Sequence, residues 1–282
     1  IGRLLVKCPD KPGIVAALST FLYEHGADIM ESTQFSSDDP SRMFYIRFEY
    51  FLEGLLDKRE ELERNFEPLA EEFDMEVTFT YNDKRKRSAI FVSKEIHCLV
   101  ELLWEWQSGD LDTDIALVIS NHETAREVVE QVGIPFYYIP ANRDIREQVE
   151  AQQLQLLEEY DIDLIILARY MQILTPNFVE KYPNRIINIH HSFLPAFIGA
   201  RPYERAYDRG VKLIGATSHY VTNELDEGPI IEQDIERVDH RNNVASLKKI
   251  GQQVERVVLA RAVKWHLQDR IIVKDNKTIV FT

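Results

Sequence analysis

Three residues of this chain have side chains whose types and spacing suit attack on a carbonyl. Asn188 and His190 lie two apart in the apolar run Ile186–His190. An extended chain puts alternate side chains on one face, so an amide and an imidazole stand side by side while Ile187 and Ile189 turn the other way. The run leads into 191–199, where Pro195 and Gly199 rule out continued regular structure. The pair is expected at the carboxyl end of a strand, the edge at which open α/β sheets bind ligands. The third residue, Asp226, lies in the turn 223–229 (NELDEGP). That turn follows a strand predicted over 212–221 and precedes its hairpin partner over 230–235.

Each of the three alone has an ordinary structural reading, and Asp before Gly is common turn chemistry. Together they supply the parts of acyl transfer from an amide-like nitrogen. Asn188 offers N–H donation, and a protonated His190 can hydrogen-bond an oxyanion; one such donor is worth about 10²- to 10³-fold in rate. Asp226 can accept the proton of an attacking water, directly or through His190, and can hold the imidazole in place. Acid–base help of this kind contributes about 10²- to 10⁴-fold. His219 shares a face with Thr217 and Val221 on the neighbouring strand, where it can assist or serve the fold. His191 is expected to face away from His190. Metal-dependent hydrolysis through His190, His191, His219 and Asp226 is disfavoured, because no HExxH is present and adjacent strand histidines diverge. No metal is expected.

Apolar runs at 88–92, 115–119, 136–139, 162–167 and 186–190 alternate with helical patterns at 96–106, 123–132 and 143–160. This reads as a doubly wound, mostly parallel α/β sheet over 88–282. The turn after its first strand, 93–97 (SKEIH), has no glycine with which backbone could approach a phosphate, and Glu95 would repel one. Lys94 is the one point charge there that could pair with it. Loop 167–174 (LARYMQIL) ends the fourth strand and could offer backbone groups to a flat heterocycle; Thr175–Pro176 then signals a helix start.

The first 81 residues read as βαββαβ, a ferredoxin-like unit with helices on one sheet face. Its parts are a strand to Lys7, a turn at 8–13, a helix from Ile14 to about Gly26, strands at 27–36 and 44–49, a helix through Leu62, Phe66, Leu69 and Phe73, and a strand at 77–81. Asp10 is a candidate cap for the first helix. Residues 82–87 read as a charged linker. The whole chain of 282 residues carries a formal charge of -14, which argues against a nucleic-acid partner. The basic run 84–87 reads as solvated. No apolar run is long enough for a membrane helix, and Cys8 and Cys98, far apart, suit a reducing compartment such as the cytoplasm.

The string DKPGIV at 10–15, its helix and HGADI at 25–29 resemble the ACT family of amino-acid-sensing domains. That resemblance implies an effector-binding turn around Asp10 and Gly13, glycine or methionine as effector, and a homo-oligomer, in keeping with an exposed sheet edge. The motifs NIHHSFLP at 188–195, GATSH at 215–219, LARYMQIL at 167–174 and LDEGP at 225–229 resemble the folate-dependent formyltransferase family. An ACT-like domain in front narrows the resemblance to the deformylase branch. The resemblance implies hydrolysis of 10-formyltetrahydrofolate to formate and tetrahydrofolate, with folate as substrate and no cofactor. It also implies pterin contacts at Met171, Gln172, Ile173 and Leu174, and at Thr222, Asn223, Glu224 and Leu225, with His219 nearby. The glycine-free turn at 93–97 departs from the phosphate-holding loop of the glycinamide ribonucleotide formyltransferases, which leaves water as nucleophile. The competing readings are a formyltransferase with another amine acceptor and an amino-acid-responsive binding protein without catalysis.

Overall fold

Period-two alternation and two amphipathic helices account for the amino-terminal unit. Strands β1 (Gly2–Pro9), β2 (Asp28–Ser36), β3 (Met43–Phe51) and β4 (Glu76–Tyr81) alternate with helices α1 (Ile14–Glu24) and α2 (Leu55–Phe73). The four strands form one antiparallel sheet in the order β2-β3-β1-β4. Leu4, Val6, Ile46 and Phe48 face Ile14, Leu18, Leu62 and Phe66 in one core. The opposite face is also covered at Tyr45 and Arg47, and Arg47 persists there by donating to Glu31 (2.8 Å) and Glu49 (2.6 Å). Asp10 does not cap α1. The cap position is Gly13, at φ 95°, with no side-chain hydrogen bond, and the Asp10 backbone N–H donates to the Arg42 carbonyl at 2.7 Å. A positive φ is the conformation glycine adopts without cost.

The computed structural model describes residues 1–141, 143–195 and 202–282. Gly199, read from the sequence as a strand terminator, lies outside the described residues. The chain divides into Ile1–Arg85 with Val280–Thr282, and Lys86–Ile279. Lys86 and Arg87, read as part of a solvated basic run, are instead engaged. Lys86 donates to the carbonyls of His266 and Leu267 at 3.2 Å and pairs with Asp269, while Arg87 opens a strand and pairs with Asp114 at 2.6 Å.

The second unit holds a seven-stranded sheet of β5 (Arg87–Val92), β6 (Asp114–Ser120), β7 (Phe136–Tyr138), β8 (Leu164–Ala168), β9 (Ile186–His190), β10 (Leu213–Tyr220) and β11 (Ile230–Arg237). Their order is β11-β10-β9-β8-β5-β6-β7, parallel from β7 to β9 and antiparallel at β10 and β11. Helices α3 (His97–Ser108), α4 (Arg126–Gln131), α5 (Arg146–Glu159), α6 (Pro176–Val179), α7 (Pro202–Arg209) and α8 (Val244–Leu267) intervene, and a hairpin of β12 (Ile271–Lys274) and β13 (Lys277–Val280) follows. Ile90 and Val92 enter one core, Ala89 and Phe91 the other, so both faces are buried and the strands read as unbroken apolar runs. The chain proceeds from β5 outward to β7, then returns to lay β8 on the other side of β5. That reversal leaves a crevice at the carboxyl ends of β5, β8 and β9.

Candidate active site

The cross-strand register sets the first contact. His219 on β10 is directly opposite Asn188 on β9, and Thr217 is opposite His190. Directly opposed side chains share a face, so Asn188 Nδ2 reaches His219 Nε2 at 3.2 Å. His219 Nδ1 lies 2.9 Å from the Tyr220 carbonyl, which only accepts, so Nδ1 carries the proton and Nε2 accepts from the amide. The orientation of Asn188 follows, and its second N–H stays available.

Asp226 arrives from the turn beyond β10. Its φ is 57°, a left-handed conformation that Asp tolerates better than most residues. The turn is pressed against the strand end: a Cβ on Gly228 would lie 1.8 Å from the Tyr220 carbonyl oxygen, so only glycine fits. Tyr220 donates its backbone N–H to the Pro229 carbonyl at 2.9 Å, closing the turn. Asp226 Oδ2 thereby lies 3.3 Å from His190 Nδ1 and Oδ1 lies 3.7 Å from His219 Nε2. Burial alone would raise the Asp226 carboxyl, but hydrogen bonding from the His190 imidazole outweighs it and holds the group well below the usual carboxylate range. His190 is 6% exposed, and its Nε2 is buried with no hydrogen-bond partner among the described residues. Such groups are rare in native interiors and mark places where a ligand or reaction completes the bonding.

These residues line a cavity of about 940 Å³, within the range of small-molecule sites. Met171, Gln172, Ile173, Leu174, Thr222, Asn223, Glu224 and Leu225 line it too, so every residue that sequence reasoning placed in the second unit's site borders one space. Asp10 and Gly13 belong to the other unit. Met171, Ile173 and Leu225 are more than half exposed, an apolar wall suited to a flat ring. Loop 169–175 is tied at both ends: Ser93 Oγ accepts from the Met171 N–H at 3.0 Å, and Glu150 accepts from the Thr175 N–H at 2.9 Å.

Other lining residues escaped sequence reasoning. His191 does not face away: its ring stacks on His190 at 5.1 Å between centroids, because regular alternation stops where β9 ends. Burial, then the charges of Arg169 and His190, push His191 down to about 4. Glu95 accepts from Lys248 (2.7 Å) and Gln252 (2.8 Å), while Lys94 points to solvent and does not line the cavity. Behind them Glu255, 1% exposed, accepts from His97 (2.7 Å) and Tyr203 (2.7 Å) and lies 3.4 Å from Arg169. Burial would raise this carboxyl, yet His97, Arg169 and Tyr203 keep it low. His97, Cys98 and Glu255 offer donors within 4.8 Å of one another, the spacing of a metal-ligand group. Here Glu255 is already spent on a cation and two hydrogen bonds. The cysteines Cys8 and Cys98 are both free and buried. No helix among the described residues is long and apolar enough to cross a membrane.

The Formyl transferase family model matches residues 86–263, and the ACT domain model matches residues 2–66. The second unit is thus of the formyl transferase class, and an ACT domain precedes it in the chain. The chain is 66% identical over 280 residues to the formyltetrahydrofolate deformylase of Bacillus subtilis, covering 99% of this chain and 93% of that protein. It superposes with TM-score 0.93 and 47% identity on the crystal structure of a formyltetrahydrofolate deformylase from Pseudomonas syringae, covering 100% of this chain and 94% of the other. The corresponding structure from Burkholderia mallei gives 0.92 and 44%, covering 100% and 99%. The chain belongs to the formyltetrahydrofolate deformylase family.

Proposed function

We propose that this chain hydrolyses 10-formyltetrahydrofolate to formate and tetrahydrofolate, with water as the formyl acceptor. The observation that carries the reading is His190, whose Nδ1 faces an ionised Asp226 while its buried Nε2 has no partner among the described residues. With the Nδ1 proton directed at the carboxylate, Nε2 holds a lone pair. Water adds to the formyl carbon as Nε2 takes its proton. The second N–H of Asn188 and the new imidazolium meet the oxyanion. His190 then returns the proton to N10, the C–N10 bond breaks, and formic acid loses its proton to solvent. Asp226 acts through His190, whose Nδ1 it faces at 3.3 Å.

The pterin ring lies against 171–174 and 222–225, its edge satisfied by backbone groups and its glutamate tail toward solvent. If Leu174→Arg left folate affinity unchanged, this placement would be wrong. The turn at Asp10 and Gly13 takes a small amino acid that regulates the enzyme, with glycine and methionine the expected effectors. The protein is a cytoplasmic homo-oligomer. Adding either amino acid is expected to change the rate in the native chain and not in Asp10→Ala. The functional reading is tested by formate release in amine-free buffer, which proceeds in the native chain and collapses in Asp226→Asn. Formyl transfer only when an amine is supplied would overturn it.

A further inference from the structure

The cavity contains a cation that the reaction described above does not use. Arg169 leaves the end of β8 with φ 63°, in the left-handed region that a long side chain adopts only when its surroundings compel it. Its side chain is 12% exposed and lines the cavity together with His190 and His191. Its Nε and Nη1 are buried without a hydrogen-bond partner among the described residues. Glu255, at 3.4 Å from Nε, balances the charge but is committed to His97 and Tyr203. A guanidinium has five N–H donors in a planar fork matched to a carboxylate.

Hydrolysis creates a charge where the substrate had a neutral amide. The new carboxylate forms beside the ionised Asp226, which repels it. Among the described residues, the lysines and arginines that line the cavity are Lys248 and Arg169. Lys248 is half exposed and bound to Glu95. Arg169 remains, with donors free and buried deeply enough to suit a small anion rather than the folate tail. We propose that Arg169 forms the floor of a small-carboxylate subsite, which receives formate after the C–N bond breaks and holds it apart from Asp226. The choice of formate rests on the hydrolytic reading; the existence of a carboxylate subsite does not.

The test is binding of ¹³C-formate to the full chain without folate, followed by NMR titration at constant ionic strength. It compares the native protein with Arg169→Gln and Arg169→Lys, and folate affinity reports that the cavity is intact. Loss of charge-assisted hydrogen bonds predicts about ten- to hundredfold weaker formate binding in Arg169→Gln. Arg169→Lys keeps the charge beside Glu255, guards against a folding failure, and is expected to fall between the two. Equal formate affinity in the native chain and Arg169→Gln, absence of saturable binding in the native chain, or equal competition by chloride would overturn the subsite. So would weakened binding of glutamate-bearing folate, but not of the pteroate analogue, with formate affinity unchanged: the carboxylate would then be the tail's. Formate binding that depends on Arg169 in a chain that does not hydrolyse the folate would leave the subsite standing and remove the functional reading.

Discussion

Two strand ends on the same sheet edge treat their polar groups in opposite ways. After β5, Glu95 is bound by Lys248 and Gln252, and behind it His97, Tyr203 and Arg169 converge on Glu255. After β9, Asn188 keeps an N–H and His190 keeps Nε2 without a partner among the described residues. The first end spends both of its carboxylates on neighbouring side chains and has no glycine-lined cradle for a phosphate. The second leaves capacity for a reaction.

The largest expected effect comes from breaking the open end. Asp226→Asn removes the charge that fixes the His190 proton, and formate release is expected to fall by about 10²- to 10⁴-fold with folate binding retained. Loss of folate binding in parallel would instead make Asp226 a binding residue.

Acidification strikes the stacked histidine beside it. The folded chain holds His191 at about 4, below an ordinary value of 6.5, so the unfolded chain binds the proton first. Stability from this residue is therefore complete above about pH 6.5 and is lost as pH falls toward 4, by roughly 3 kcal/mol. Thermal unfolding of native chain and His191→Gln across that window checks this, and the variant should show the shallower decline. Asp226 works in the same direction at lower pH: held below its ordinary value, it stabilises the fold at neutral pH and loses that contribution only on stronger acidification.

Moving the turn tests whether position or presence matters. Gly228→Ala would force a Cβ into the Tyr220 carbonyl, at an expected cost of about 1–3 kcal/mol in stability. Activity should drop with Asp226 still present, and denaturant unfolding beside the rate assay separates the two effects. The smallest effect belongs to the closed end. Glu95→Gln removes an ion pair whose partners are 36% and 50% exposed, worth about 0–1 kcal/mol. Hydrolysis should be essentially unchanged, and a large rate loss would show that this end takes part in the chemistry.

The open end was legible in the sequence because its geometry is local. Alternation puts Asn188 beside His190, and the LDEG turn puts a carboxylate at the end of the next strand. The closed end was not. Lys248, Gln252 and Glu255 come from α8, more than 150 residues beyond Glu95 and His97, and no periodicity encodes that approach. His191 was misread because a strand's alternation says nothing of the first residue after it ends. Arg169 passed as strand exit, since a charged residue after an apolar run is ordinary until its burial is known. In the amino-terminal unit the order of elements was readable, while the buried Arg47 between Glu31 and Glu49 depended on pairing between strands.

Water as the acceptor, activated by His190 with Asp226, leaves its oxygen in the product. The most direct measurement is formate produced from 10-formyltetrahydrofolate in H₂¹⁸O without any amine. One labelled oxygen per formate is expected, released in step with tetrahydrofolate and strongly reduced in Asp226→Asn. Unlabelled formate, or a formyl group that leaves only on an added amine, would contradict it.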